Sequence, residues 1–164
     1  MKIEPLGKHR KWIPQLACWH HAQWSDLNPG ETLAGRVARL ELNATGSELP
    51  LTWVAFEDEI LFGSASLVNS DMETQPELRP WLASVFVAPE HRRKGIGASL
   101  VQHIVNEARE RGYESLFLFT PDQQKFYEKL GWRELDQFNY REIQVSLMRI
   151  DLELEDSTHF SAEG

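Results

Sequence analysis

The sequence predicts a single-domain α/β (α+β) protein, a mixed central sheet of six to seven strands flanked by about four helices. Three observations lead there. Apolar periodicities run helix, helix, strand, strand, then strand–loop–helix–strand–helix, then two closing strands. The 164 residues, 41% apolar and 26% charged, suit one soluble core and show no repeat and no linker between domains. Finally, one strand passes into the strongest helical pattern through a turn carrying two glycines and a cluster of basic residues.

Residues 11–24 form a first helix, with Trp12, Leu16, Trp19 and Gln23 along one face. Asn28-Pro29-Gly30 breaks it, and 31–43 form a second helix with Leu33, Val37, Leu40 and Ala44 at helical spacing. Residues 51–56 and 60–68 are two strands around the acidic turn Glu57-Asp58-Glu59. A polar loop with two prolines covers 69–80, and Leu82 to Val87 is a strand ended by Pro89. Ile96 to Arg111 is a helix, with Ile96, Leu100, Ile104 and Ala108 every four residues and Gly112 as its stop. Ser115 to Thr120 is an apolar strand buried on both faces. Pro121 opens a short helix that ends near Gly131. Residues 132–139 and 143–152 close the sheet. The domain spans 1–152, and the acidic, polar stretch 153–164 reads as a flexible tail.

Composition narrows the function. No apolar run approaches the roughly 20 residues that cross a membrane, and the charged N-terminus lacks the apolar segment of a secretory signal. With a single cysteine, Cys18, no internal disulfide forms. A reducing, cytoplasmic setting is therefore expected, and Cys18 reads as a buried structural thiol. The net charge of −8 disfavours nucleic acid as a partner and weakly favours a cationic one, such as an amine. Against that acidic background, His91-Arg92-Arg93-Lys94 stands out.

The stretch Arg92-Arg93-Lys94-Gly95-Ile96-Gly97-Ala98 has a physical logic. A helix N-terminus presents unpaired N–H groups and the positive end of the helix dipole. Glycines let the backbone close around a phosphate, and Arg and Lys add charge for further phosphates. The whole is a site for a pyrophosphate; the alternative is a basic loop whose glycines only permit a tight turn. A P-loop needs Lys-Ser/Thr after its second glycine, and a Rossmann fingerprint needs a third glycine where Leu100 stands.

Arg92, Gly95 and Gly97 resemble the acetyl-CoA motif R/Q-x-x-G-x-G/A of the GCN5-related N-acetyltransferases (GNAT). The resemblance covers about residues 51–152. It implies that backbone amides from Arg92 to Ala98 hold the pyrophosphate of acetyl-CoA. It also implies that Val85, Phe86 and Val87 pair with the pantetheine arm, and that their strand splays from the strand of Leu116 to Phe119 to admit it. The segment Phe126-Tyr127-Glu128-Lys129-Leu130-Gly131-Trp132 resembles the family's F-Y-x-x-x-G-F/W. There it implies Tyr127 as the general acid on the leaving thiolate, since a phenol of pKa about 10 can hydrogen-bond a thiolate whose thiol has pKa about 8.5. Phe126 reads as packing beside the cofactor. The family often has Asn and Ala where this chain has Thr120 and Gln123; Thr120 still offers a hydroxyl to the pantetheine.

No base position carries over. Ser84, Glu73, Glu77, His20 and His21 are the candidates, with His20-His21 read as an exposed helical pair and the two glutamates as solvated loop residues. No residue spacing suggests a metal site. Trp12, Trp19, Trp24, Trp53 and Trp81 are mostly core, and one near the first two helices is a candidate wall for the amine. The resemblance therefore implies an acetyl-CoA-dependent N-acetyltransferase acting on a primary amine. The alternative is a non-catalytic acyl-CoA sensor on the same fold. A homodimer is a further expectation left open.

Overall fold

The computed structural model describes residues 1–153. Seven strands form one sheet in the order β1-β2-β3-β4-β5-β7-β6. These are β1 (Lys2–Pro5), β2 (Leu51–Glu57), β3 (Ile60–Val68), β4 (Trp81–Val87), β5 (Ser115–Thr120), β6 (Arg133–Tyr140) and β7 (Ile143–Asp151). Every neighbouring pair is antiparallel except β4 and β5, which are parallel. The helices are α1 (Ile13–Trp24), α2 (Leu33–Asn43), α3 (Ile96–Glu110) and α4 (Gln124–Lys129). This is the expected mixed sheet with four helices. β1 is the strand the sequence reading lacks. It has four residues, ends in a proline and pairs at the sheet edge from Lys2↔Phe56 to Pro5↔Trp53, too short to show a period. Of the expected tail over 153–164, all beyond Glu153 lies outside the described residues.

Strand periodicity places the core. Alternate residues of β2 enter opposite layers: Trp53 and Ala55 pack with Leu100 and Ile104 of α3, while Val54 and Phe56 pack with Leu16 and Leu40 under α1 and α2. Both faces of β2 are covered, which is why its apolar residues run continuously. α2 is fixed at its start by Thr32, whose hydroxyl accepts from the Gly35 N–H at 3.0 Å. Near its end the buried Asn43 donates to Thr52, which bonds Ser66 across the strands.

α1 corrects three expectations. Its buried stripe is Ile13, Leu16, Ala17 and His20, rotated from the expected Trp12–Leu16–Trp19–Gln23 face; Gln23 is exposed. Cys18 is exposed rather than buried, because two residues beyond Leu16 fall on the opposite side of a helix. His20, read as exposed, is fully buried. A histidine is tolerated in that apolar stripe because Ser64 of β3 supplies a hydrogen bond at 2.9 Å.

Two irregularities of β4 shape the cleft beside it. Ser64↔Phe86 and Ser66↔Ala83 pair across β3 and β4, so Ser84 and Val85 together oppose Ala65. This is a β-bulge, and Ser84 adopts a left-handed φ of 52° to make it. On its other edge, β4 joins β5 through one register pair, Trp81↔Phe117, after which the two strands separate. The expected splay is present. Gly63 of β3 lies against this strand, and a Cβ there would fall 2.2 Å from the Phe86 carbonyl oxygen.

Candidate active site

The turn after β4 leaves backbone donors without partners. A 3-10 turn over Pro89–His91 ends the strand's direction, and Arg93 (φ 66°) and Gly95 (φ 81°) then take left-handed conformations. Gly95 precedes α3 with no side chain capping the helix, so the first-turn N–H groups of Ile96, Gly97 and Ala98 are left for a ligand. Backbone that alternates hands in this way turns successive N–H groups into one concavity. Arg92 is braced: its Nε donates to the Val87 carbonyl at 2.8 Å and its guanidinium lies 5.7 Å from the Phe86 ring centroid. A Cβ on Gly97 would touch Phe126 and Val87 at 3.6 and 3.7 Å, so hydrogen there keeps this end open.

From this turn a cleft of about 760 Å³ runs through the gap between β4 and β5. Arg92, Arg93, Gly95, Ile96, Gly97 and Ala98 line one end of it. Val85, Phe86, Val87, Thr120, Phe126 and Tyr127 line its middle. Lys94, exposed on the outer side of the turn, is the one expected binding residue that does not line the cleft. Of the base candidates only Ser84 lines it; Glu77 and His21 do not, and Glu73 is an exposed partner of Arg141 at 3.2 Å.

Tyr127 is 8% exposed and held edge-to-face by Phe126 and Trp132, at centroid distances of 5.0 and 5.9 Å. Burial, reinforced by the negative charge of Asp122, raises its phenol above the usual value and keeps it protonated. A group in that state donates a hydrogen bond to a developing anion. The Thr120 hydroxyl accepts from the Gln123 N–H at 3.0 Å and so anchors the turn before α4 while keeping its own proton free to donate.

Beyond the gap the walls come from Trp24, one of the tryptophans weighed above as a wall for the amine, and from residues that no motif marked. Trp24 of α1, Arg36 and Arg39 of α2, Asp71 of the loop before β4, and Tyr140 and Arg141 at the β6–β7 turn converge here. Arg36 bonds Glu31 at 2.6 Å and lies 5.9 Å from the Trp24 centroid, so this tryptophan face is already taken by a cation of the protein itself. Desolvation by the cleft walls raises the Asp71 carboxyl and Arg39, Arg141 and Arg36 lower it; the residue is exposed at the mouth, which limits the rise. No sequence spacing links these residues; only the i, i+3 pair Arg36 and Arg39 on one helix was visible as a pattern.

His20 touches this wall from beneath, packed against Trp24 and Phe86 at 5.0 and 6.0 Å. Burial, then the charges of Arg36 and Arg39, push its imidazole down to about 3 from 6.5, so it is neutral in the folded protein. Below pH 6.5 the unfolded chain binds a proton that the native state refuses, and stability falls as pH drops from there toward 3. The loss approaches ~1.4 kcal/mol per pH unit. His20→Gln keeps a partner for Ser64 without titrating. Urea unfolding of both proteins between about pH 7 and 5 is expected to show the wild type losing ground to the variant as pH falls.

Among the described residues no cluster of His, Cys, Asp and Glu could hold a metal ion, and no helix is long and apolar enough to cross a membrane.

A mixed sheet parted at one parallel pair, with an uncapped helix terminus at the head of the gap, leaves free backbone donors and room for an extended ligand between two strands. The family model of the acetyltransferase (GNAT) domain matches residues 49–134, and the chain belongs to that family. It is 34% identical over 89 residues to N-acetyltransferase 8 of Homo sapiens, covering 52% of this chain and 39% of that protein. It is 33% identical over 92 residues to the uncharacterized N-acetyltransferase YsnE of Bacillus subtilis (strain 168), covering 52% and 58%. The chain thus matches about half the length, or less, of these relatives. Among solved structures, an aminoglycoside 6'-N-acetyltransferase complexed with coenzyme A superposes with a TM-score of 0.74 at 17% identity, over 92% of this chain and 97% of that one. YncA of Salmonella typhimurium with its cofactor acetyl-CoA superposes with a TM-score of 0.66 at 19% identity, over 93% and 94%. At these identities the likeness is one of fold.

Proposed function

We propose that the protein is an acetyl-CoA-dependent N-acetyltransferase that passes an acetyl group to a primary amine by direct attack on the thioester. The observation that carries this reading is the continuity of one cleft. It joins the uncapped α3 terminus, the parted β4–β5 edges and the Tyr127 side chain. When bound, the thioester supplies an activated acyl group. The chain's own residues do the rest. N–H groups of Ile96 to Ala98, with Arg92 and Arg93, bind the pyrophosphate. The unpaired edge of β4 from Val85 to Val87 offers backbone groups to the pantetheine amides, as an added strand would. The bulge at Ser84–Val85 turns backbone polar groups out of the ladder at the midpoint of the cleft, where an acyl oxygen can be bound. Tyr127, kept protonated, hydrogen-bonds the sulfur as charge develops on it.

Saturating acetyl-CoA is expected to raise the melting temperature. At about 100 times the dissociation constant the gain is ~2.7 kcal/mol, or roughly 5–10 °C for a chain of this size. Free thiol is then expected to appear when a suitable amine is added. A thermal shift without thiol release across a broad amine panel would indicate an acyl-CoA sensor instead, and no shift at millimolar acetyl-CoA would sink both readings.

A further inference from the structure

The far chamber of the cleft holds one guanidinium and one carboxylate that have no ion-pair partner among the described residues. Three arginines and one carboxylate line it. Two of the arginines are anchored. Arg36 is paired with Glu31 in a buried contact. Arg141 donates to Asn28 Oδ1 at 2.8 Å and to Glu73 at 3.2 Å, which ties the β6–β7 turn to the α1–α2 loop. Arg39 is exposed and makes no hydrogen bond or ion pair among the described residues. A second recess of about 540 Å³ adjoins the first, and Arg39 and Arg141 line both. The Tyr140 ring completes the wall under the Arg141 guanidinium, 4.9 Å away. Its hydroxyl is buried without a hydrogen bond; the Glu73 backbone amide approaches it but does not meet hydrogen-bond geometry.

An unpaired guanidinium lining this chamber suits a ligand group with acceptor oxygens. Glu31 offsets Arg36 and Glu73 offsets Arg141, so the groups left uncompensated in the chamber are the Arg39 guanidinium and the Asp71 carboxylate. Asp71 in the same chamber repels a dianion and attracts an ammonium. Asp71 and Arg39 line the same chamber, so the positive and negative features share one space. The complementary ligand bears opposite charges a few bonds apart.

Resting on the N-acetyltransferase reading, we infer that the acceptor is a zwitterionic amine of amino-acid type, its carboxylate held by Arg39 and Arg141 and its amine directed toward Asp71 and the thioester. Asp71 pairs with the ammonium on arrival. The nitrogen gives one proton to solvent before it attacks the thioester carbonyl; its second proton leaves as the C–S bond breaks and ends on the departing coenzyme A thiol.

The test is steady-state kinetics with acetyl-CoA on a panel of L-amino acids, each beside its carboxamide and its decarboxylated amine, with thiol release as readout. Carboxamide amines are less protonated at neutral pH, so intrinsic reactivity favours them and a preference for the parent must come from the site. The parents are expected to exceed their carboxamides in kcat/KM by about 10- to 100-fold, the worth of a charge-assisted hydrogen bond to carboxylate. Arg39→Gln is expected to bring that ratio close to unity by raising KM for the parents, and Arg39→Lys to restore part of it. Carboxamides or decarboxylated amines used as well as the parents by the wild type would overturn the inference and leave the acetyltransferase reading standing. Equal losses on all three classes in Arg39→Gln would overturn it too. If acetyl-CoA binds but no amine of any class releases thiol, the acetyltransferase reading falls and takes this inference with it.

Discussion

Tyr127→Phe is expected to lower kcat by about 100- to 1000-fold while the dissociation constant for acetyl-CoA changes by less than about 3-fold. The split follows from the geometry. The ring is held by Phe126 and Trp132, and phenylalanine keeps both contacts, so the cleft retains its shape. Only the hydroxyl is lost, and it matters when the sulfur becomes anionic. The phenol's raised pKa sharpens its role. Outright transfer of its proton to a free thiolate, whose thiol has pKa about 8.5, is uphill. A short hydrogen bond that strengthens as charge develops, in a site sheltered from water, is the effective form of acid catalysis here. Rapid-quench and steady-state rates with a good acceptor, beside calorimetric binding of acetyl-CoA, check both halves. An unchanged kcat would remove Tyr127 from the chemistry.

Gly63→Ala is expected to destabilise the protein by about 3 kcal/mol or more, a fall of roughly 6–12 °C in melting temperature. The new Cβ would lie 2.2 Å from the Phe86 carbonyl oxygen and 3.0 Å from the Val87 Cα, both backbone atoms of β4. Neither can swing aside as a side-chain tip does, so the strand must move. β4 is also the strand whose free edge borders the cleft, and Val87 is the residue whose carbonyl braces Arg92. The substitution is therefore expected to weaken acetyl-CoA binding as well, visible as a smaller thermal shift with ligand than the wild type shows. A melting temperature within a degree or two of wild type would mean that the contact is relieved elsewhere.

How much of this was legible in the chain divides along a physical line. Local features were plain. The every-fourth-residue pattern of Ile96, Leu100, Ile104 and Ala108 described α3, and the continuous Leu116–Phe119 run described a strand covered on both faces. The glycine and arginine positions at 92–97 marked the anion turn because its chemistry is carried by consecutive residues. What was missed depends on distant pieces meeting. The phase of α1 was misjudged because tryptophans at 12 and 19 outweighed a histidine at 20, and the bond that lets His20 be buried comes from Ser64, 44 residues away. The chamber of Arg39, Asp71, Tyr140 and Arg141 draws on three separate loops and helices, with no spacing to betray it. The net charge of −8 pointed toward a cationic acceptor, whereas the unpaired charges of the far chamber are one guanidinium and one carboxylate. Averages over a surface say little about the inside of a cleft.

The single bridge between β4 and β5 has a mechanical meaning. Cut at that point, the sheet is two plates: β1 to β4 carrying α1, α2 and α3, and β5 to β7 carrying α4. Rungs of main-chain hydrogen bonds run through each plate but almost stop between them. A ligand threaded along the seam would replace the missing rungs, while the core under α3 already joins both plates through Leu116, Leu118 and Met148. Occupancy of the seam is then expected to add stiffness where the sheet itself is weakest.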